Sequence, residues 1–95
     1  MLIRIVKLHF KPEHIETFKE ILDSTSGRIR DFEGCLHMEG YQQIDCPEVF
    51  FTYSHWVNEE ALNAYRASDF FSSVWSKTKV LFQEKPMAWS LHKMI

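Results

Sequence analysis

The run Val49-Phe50-Phe51-Thr52-Tyr53-Ser54-His55-Trp56 decides how this chain folds. β-Branched and aromatic residues follow one another without an acidic or basic break, the composition of a strand that packs against other residues instead of water. Side chains alternate in direction along a strand, so Val49, Phe51 and Tyr53 share one face while Phe50, Thr52 and Trp56 share the other. Both faces are apolar. A strand of this kind belongs to a sheet covered on two sides.

Upstream, Asp45-Cys46-Pro47 supplies turn chemistry, and Cys35 to Gln43 before it is extended, with Leu36, Met38 and Tyr41. These two strands form a hairpin. Leu2 to Phe10 reads as another strand, with Ile3, Ile5, Lys7 and His9 on one side and Leu2, Arg4, Val6, Leu8 and Phe10 on the other. Pro12 suits a first helical position and Glu13 suits the positive end of a helix. Ile15, Phe18, Ile21, Leu22, Ile29 and Phe32 then recur at helical spacing around a polar back of Glu16, Lys19, Glu20, Asp23 and Arg30. The spacing predicts one long amphipathic helix, bent or frayed near Gly27 and stopped by Glu33-Gly34. Downstream of Trp56, Asn58 caps a helix carrying Ala61, Leu62 and Tyr65 on one side. Ser68 or Asp69 caps the next, which is expected to run to about Phe82 with Phe70, Phe71, Val74, Trp75, Thr78 and Leu81 inward. Lys85-Pro86 ends it, and Met87 to Met94 is the last strand. The order of elements gives an α+β fold, the ferredoxin-like split βαβ: a four-stranded antiparallel sheet with helices on one face.

Helices on one face leave the second apolar face bare. Burying one large apolar side chain is worth about 1.5 to 3 kcal/mol, and several on an open sheet make a patch of interface size. Nothing left in the chain can cover it, so a second copy, sheet against sheet, is expected. The 95 residues allow one domain, residues 1–95. With 11 Lys and Arg against 13 Asp and Glu, the net charge of −2 offers no footprint for nucleic acid or an anionic membrane. No run approaches the about 18 to 20 apolar residues of a membrane helix, and Met1 to Phe10 lacks a signal-peptide core. A cytoplasmic protein is expected. The two cysteines, Cys35 and Cys46, read as free thiols of a reducing compartment, with a single bridge across the hairpin as the alternative. Eight Phe, three Trp and three Tyr are a heavy aromatic load for so small a volume, and part of it is expected to meet a partner or ligand.

Several short motifs, each common on its own, stand here in a particular order. They are Phe10-Lys11-Pro12 leading into the first helix, Glu33-Gly34-Cys35, Asp45 to Pro47 and Phe51-x-Tyr53-x-x-Trp56. Ala61-Leu62-x-x-Tyr65 and Ser68-Asp69-Phe70-Phe71 complete the set. In this order and spacing the whole chain resembles the antibiotic biosynthesis monooxygenase family, small proteins that pair into dimeric α/β barrels. The resemblance implies oxygenases that need no metal or flavin, acting on electron-rich aromatic or quinol substrates between helices and sheet. It also admits isomerases of small signalling sugars, haem-degrading enzymes and members without established activity. This chain departs from the pattern: many members have His where it has Tyr65, and Glu where it has Ser54. Haem degradation is disfavoured, because its functional Asn, Trp and iron-ligating His correspond to Ile5, Tyr65 and Trp75.

Five histidines, His9, His14, His37, His55 and His92, invite a metal, but none has ligand spacing to another or to a cysteine, so no metal site is expected. With three glycines, a phosphate loop or dinucleotide fingerprint is excluded, and no Ser-His-acid order exists. Cofactor-free oxygenation needs a base, a dry pocket and a cation or donor for the developing anion. Strand parity joined to the family resemblance puts Ile5, Lys7 and His9 toward the pocket, with His9 or Tyr65 handling the proton and Lys7 steadying the charge. The plainer reading leaves Lys7 and His9 at an exposed sheet rim. Ile5, Trp56, Phe71 and Trp75 are the expected substrate-binding residues, Tyr65 and Trp75 reaching one cavity with Phe71 between them. Core packing is the competing role for this aromatic group, and simple packing for Trp56. The function expected is a homodimeric, cofactor-free monooxygenase of a small aromatic or quinol compound. The alternatives are a non-catalytic small-molecule-binding barrel and an isomerase of a small keto compound.

Overall fold

A computed structural model describes residues 1–95, and in it Val49–Trp56 forms an inner strand of the sheet. In chain order the elements are β1 (Leu2–Phe10), α1 (Ile15–Arg30), β2 (Cys35–Gln42), β3 (Val49–Trp56), α2 (Glu59–Arg66), α3 (Asp69–Thr78) and β4 (Phe82–Leu91). The sheet order is β2-β3-β1-β4 with every neighbouring pair antiparallel, the ferredoxin-like arrangement. Register places Arg4 opposite Ser54, Val6 opposite Thr52 and Leu8 opposite Phe50 on the face that carries the helices. Ile3, Ile5, Lys7 and His9 sit opposite His55, Tyr53, Phe51 and Val49 on the other face.

Helix α1 is nucleated by a 3-10 turn at Pro12–His14 and runs unbroken through Gly27, so the helix does not fray there. Phe10 and Phe18 stack with ring centroids 4.2 Å apart, and Phe50 meets both edge-on. With Leu8 and Leu81 these rings form the buried core under α1. After α1 the chain turns through Gly34 at φ 85°, where a β-carbon would collide with that of Ala61. Glycine is required there on both counts. Side-chain oxygens close the two later helices: Asn58 Oδ1 accepts from Ala61 N–H at 2.9 Å, and Ser68 Oγ from Phe71 N–H at 3.1 Å.

The end of the chain differs from the sequence expectation. Helix α3 stops at Thr78, a 3-10 turn follows at Lys79–Leu81, and β4 begins at Phe82, before Lys85-Pro86. Pro86 therefore lies inside a strand. The strand is an edge of the sheet, and its register against β1 shifts between the pairs Lys7–Met87 and His9–Glu84. An edge bulge is where proline costs a strand least.

Candidate functional site

Between the helices and the sheet lies a cavity of about 370 Å³, large enough for a small aromatic molecule. Its floor is the helix side of the sheet, including Arg4, Val6, Leu8, Thr52, Ser54 and Trp56. Its roof comes from α1, α2 and α3. One wall is a continuous series of aromatic rings. Trp56 and Tyr65 lie 5.0 Å apart, Tyr65 and Phe71 5.1 Å, and Phe71 and Trp75 5.9 Å. The geometry follows from helical spacing: Phe71 and Trp75 are one turn apart on α3, so their rings stack nearly parallel, at 10°. Trp56 is fully buried and its indole N–H donates to Ser54 Oγ at 3.0 Å, which fixes the ring at the end of β3.

Charge in this cavity comes only from arginine. Arg4 projects from β1 and donates to Ser90 Oγ at 2.9 Å, while Arg66, at the end of α2, is exposed where the cavity opens to solvent. Neither takes part in any of the three ion pairs of the molecule. Burial, and then the charge of Arg66, lower the pKa of Arg4 below the usual guanidinium value. Burial likewise pushes the Tyr65 phenol up to about 12, with Cys35 adding to the effect. At neutral pH Tyr65 is a hydrogen-bond donor and not a base. No His, Asp, Glu or Lys lines the cavity.

A family model for antibiotic biosynthesis monooxygenase matches residues 1–74. The chain belongs to the antibiotic biosynthesis monooxygenase family. Solved structures agree on the fold. An antibiotic biosynthesis monooxygenase superposes with a TM-score of 0.94 at 18% identity, each chain covered completely. A conserved protein from Methanosarcina mazei Go1 gives 0.90 at 24% identity, over 98% of this chain and 93% of its own. A protein from Pseudomonas aeruginosa gives 0.89 at 20% identity, over 99% and 94%. Comparison with curated proteins returns no match.

For a monooxygenase-family chain, the structure brings together four of the residues that the sequence marked out, Trp56, Tyr65, Phe71 and Trp75, all in the cavity wall. Ile5, Lys7 and His9 are elsewhere. They occupy the helix-free face, so the expectation that this face of β1 looks into the pocket is corrected. The reason lies in parity: Phe10 packs on Phe18 beneath α1, which commits every even position of β1 to the helix side. Lys7 and His9 therefore cannot act on a guest in this cavity from within the same chain. His9 instead pairs with Glu84 at 3.3 Å. Arg4 and Arg66 are the residues the sequence reading missed. The signal was present, since Arg4 shares its face with Val6, Leu8 and Phe10.

Both thiols are free. Cys35 begins β2, whereas Cys46 lies in the turn at the other end of the hairpin, so no bridge joins them. No helix is long and apolar enough to cross a membrane.

Proposed function

We propose that the chain is one half of a two-fold, sheet-against-sheet dimer of the cytoplasm. Each cavity binds a flat, electron-rich aromatic or quinol compound and oxidises it with dioxygen, without a cofactor. The observation that carries this reading is the pairing of an aromatic wall with two arginines that have no carboxylate partner. Aromatic rings suit a flat guest, and two guanidinium groups, Arg4 partly buried and Arg66 exposed, favour an anion. A phenol or enol bound beside Arg4 and Arg66 ionises more readily, which compensates for the lack of a base among the cavity residues.

The anion then passes one electron to dioxygen, and the radical pair combines into a hydroperoxide on a ring carbon. Loss of water leaves a carbonyl: one oxygen atom stays in the product, and the other departs in water with the hydrogen of that ring carbon and the proton given up by the hydroxyl. In this reading Tyr65, a cavity residue neutral at physiological pH, donates a hydrogen bond to the developing peroxide anion.

The test is oxygen uptake by the purified protein over a panel of hydroquinones and hydroxyarenes. We expect one dioxygen consumed per carbonyl formed, and at least a tenfold loss of kcat/KM in Arg4→Gln, about 1.4 kcal/mol of transition-state stabilisation. One observation favours a second reading: with no His, Asp, Glu or Lys in the cavity, a barrel that binds without turnover needs nothing more. Quenching of Trp56 and Trp75 fluorescence by the same compounds, with no oxygen uptake, would select it. An isomerase of a keto compound has less support, because moving a proton between carbons requires a base that this cavity lacks.

A further inference from the structure

Three segments far apart in sequence converge at one end of the helix-free sheet face: the end of β1, the turn between β2 and β3, and the bulged part of β4. They bring His9, Cys46 and Glu48 together, all half-buried, with one nitrogen, one sulfur and one carboxylate oxygen within 4.8 Å of one another. Cys46 Sγ donates to Glu48 Oε2 at 3.1 Å, and His9 Nδ1 lies 3.3 Å from Glu84 Oε2. We propose that His9, Cys46 and Glu48, with Glu84 as the adjacent fourth donor, form a binding site for a thiophilic divalent cation, Zn²⁺ in particular.

Donor chemistry selects the ion. An imidazole, a thiolate and carboxylates form a mixed N, S, O set that Zn²⁺ accepts, whereas Mg²⁺ and Ca²⁺ favour oxygen alone. Distances agree as well. Bonds of about 2.0 to 2.3 Å in a tetrahedron put donor atoms roughly 3.4 to 3.7 Å apart. The Cys46–Glu48 and His9–Glu84 contacts are already that short, and the donors of His9, Cys46 and Glu48 lie within 4.8 Å of one another.

The backbone holds the ligands in place. Phe10 N–H donates to Glu48 C=O at 2.9 Å and Val49 N–H to Cys46 C=O at 3.0 Å, tying the turn to β1 and to itself. Gln42 Nε2 adds a bond to Pro47 C=O at 2.8 Å. Binding replaces the thiol proton, which leaves to solvent as the sulfur takes the metal. The site is across the sheet from the aromatic cavity and does not depend on what that cavity binds.

Reduced protein titrated with Co²⁺ in place of Zn²⁺ reads the thiolate directly. The expected result is a sulfur-to-cobalt charge-transfer band saturating at one ion per chain and abolished by Zn²⁺. Cys46→Ser should remove the band. His9→Ala and the nearly isosteric Glu48→Gln should each weaken binding at least tenfold, while Cys35→Ser leaves it intact. Absence of the band in the reduced wild type, its survival in Cys46→Ser, or its loss in Cys35→Ser would each overturn the proposal.

Discussion

Tyr65 places in the aromatic wall of the cavity a phenol that stays neutral at physiological pH. The ordinary phenol value of 10.0 rises to about 12 on folding, burial being the main cause. A group whose folded value is raised keeps its full stabilising contribution below pH 10 and loses it as the pH climbs toward 12. By linkage the loss reaches about 1.4 kcal/mol near pH 11 and roughly 2.7 kcal/mol once both states are ionised. Denaturant unfolding should therefore show wild type losing about 1.4 kcal/mol relative to Tyr65→Phe between about pH 8 and 11. Parallel curves would mean a well-solvated hydroxyl. At this scale the sequence was legible for the aromatic wall but not for the charges. Tyr65, Phe71 and Trp75 announce themselves by helical spacing, whereas Arg4 and Lys7 each look like one charge on an apolar strand. Only Phe10, obliged to meet the helix that starts just beyond it, tells which of the two faces inward.

Helix α1 persists through Gly27, and that persistence is itself testable. Nothing lies within 4 Å of where a β-carbon on Gly27 would stand, and the residue is exposed. Glycine in a helix interior costs about 0.5 to 1 kcal/mol relative to alanine, since the unfolded chain has more freedom to lose. Gly27→Ala should accordingly raise Tm by about 2 to 8 °C in a calorimetric scan, on the scaling for a domain of this size. An unchanged or lower Tm would mean that the helix does kink there. The elements were legible wherever period, cap and breaker agreed, as in β3, α1 and the two capped helices. The α3–β4 boundary was not. Proline argues for the end of a helix by local propensity, but the edge position of β4 and its bulge remove the penalty, and neither exists until the sheet is assembled. The same non-locality hid His9, Cys46 and Glu48, which share no ligand spacing and meet only through strand pairing.

Taken as one molecule, the chain buries only 11 of its 95 residues and leaves a whole sheet face without a layer above it. On that face Ile3, Ile5, Phe51, Tyr53, Trp89 and Leu91 occupy adjoining positions of β1, β3 and β4, with Trp89 40% and Leu91 46% exposed. Four strands about 4.8 Å apart and about eight residues long cover roughly 500 Å² in projection. Side-chain relief brings this toward the about 800 Å² that each partner contributes to a standard interface. Polar groups on this face include those of the edge strand β2, where His37 and Tyr41 both bond to Glu39, and Lys7 and His9 on β1, so the apolar part of the patch runs from Ile5 and Tyr53 toward Ile3, Trp89 and Leu91. A two-fold copy fits because the surface is self-complementary in kind and nothing else in the chain can reach it. Phe51 lies on β3, an inner strand, opposite Lys7 and Tyr41. Phe51→Glu places one carboxylate in each half of the proposed interface without touching the cavity across the sheet. Sedimentation should show a dimer for wild type at micromolar concentration and a shift of at least tenfold toward monomer in the variant, with ligand binding to the cavity retained. A wild type that sediments as a monomer would leave the bare face unexplained, and a dimer indifferent to Phe51→Glu would move the interface to another surface.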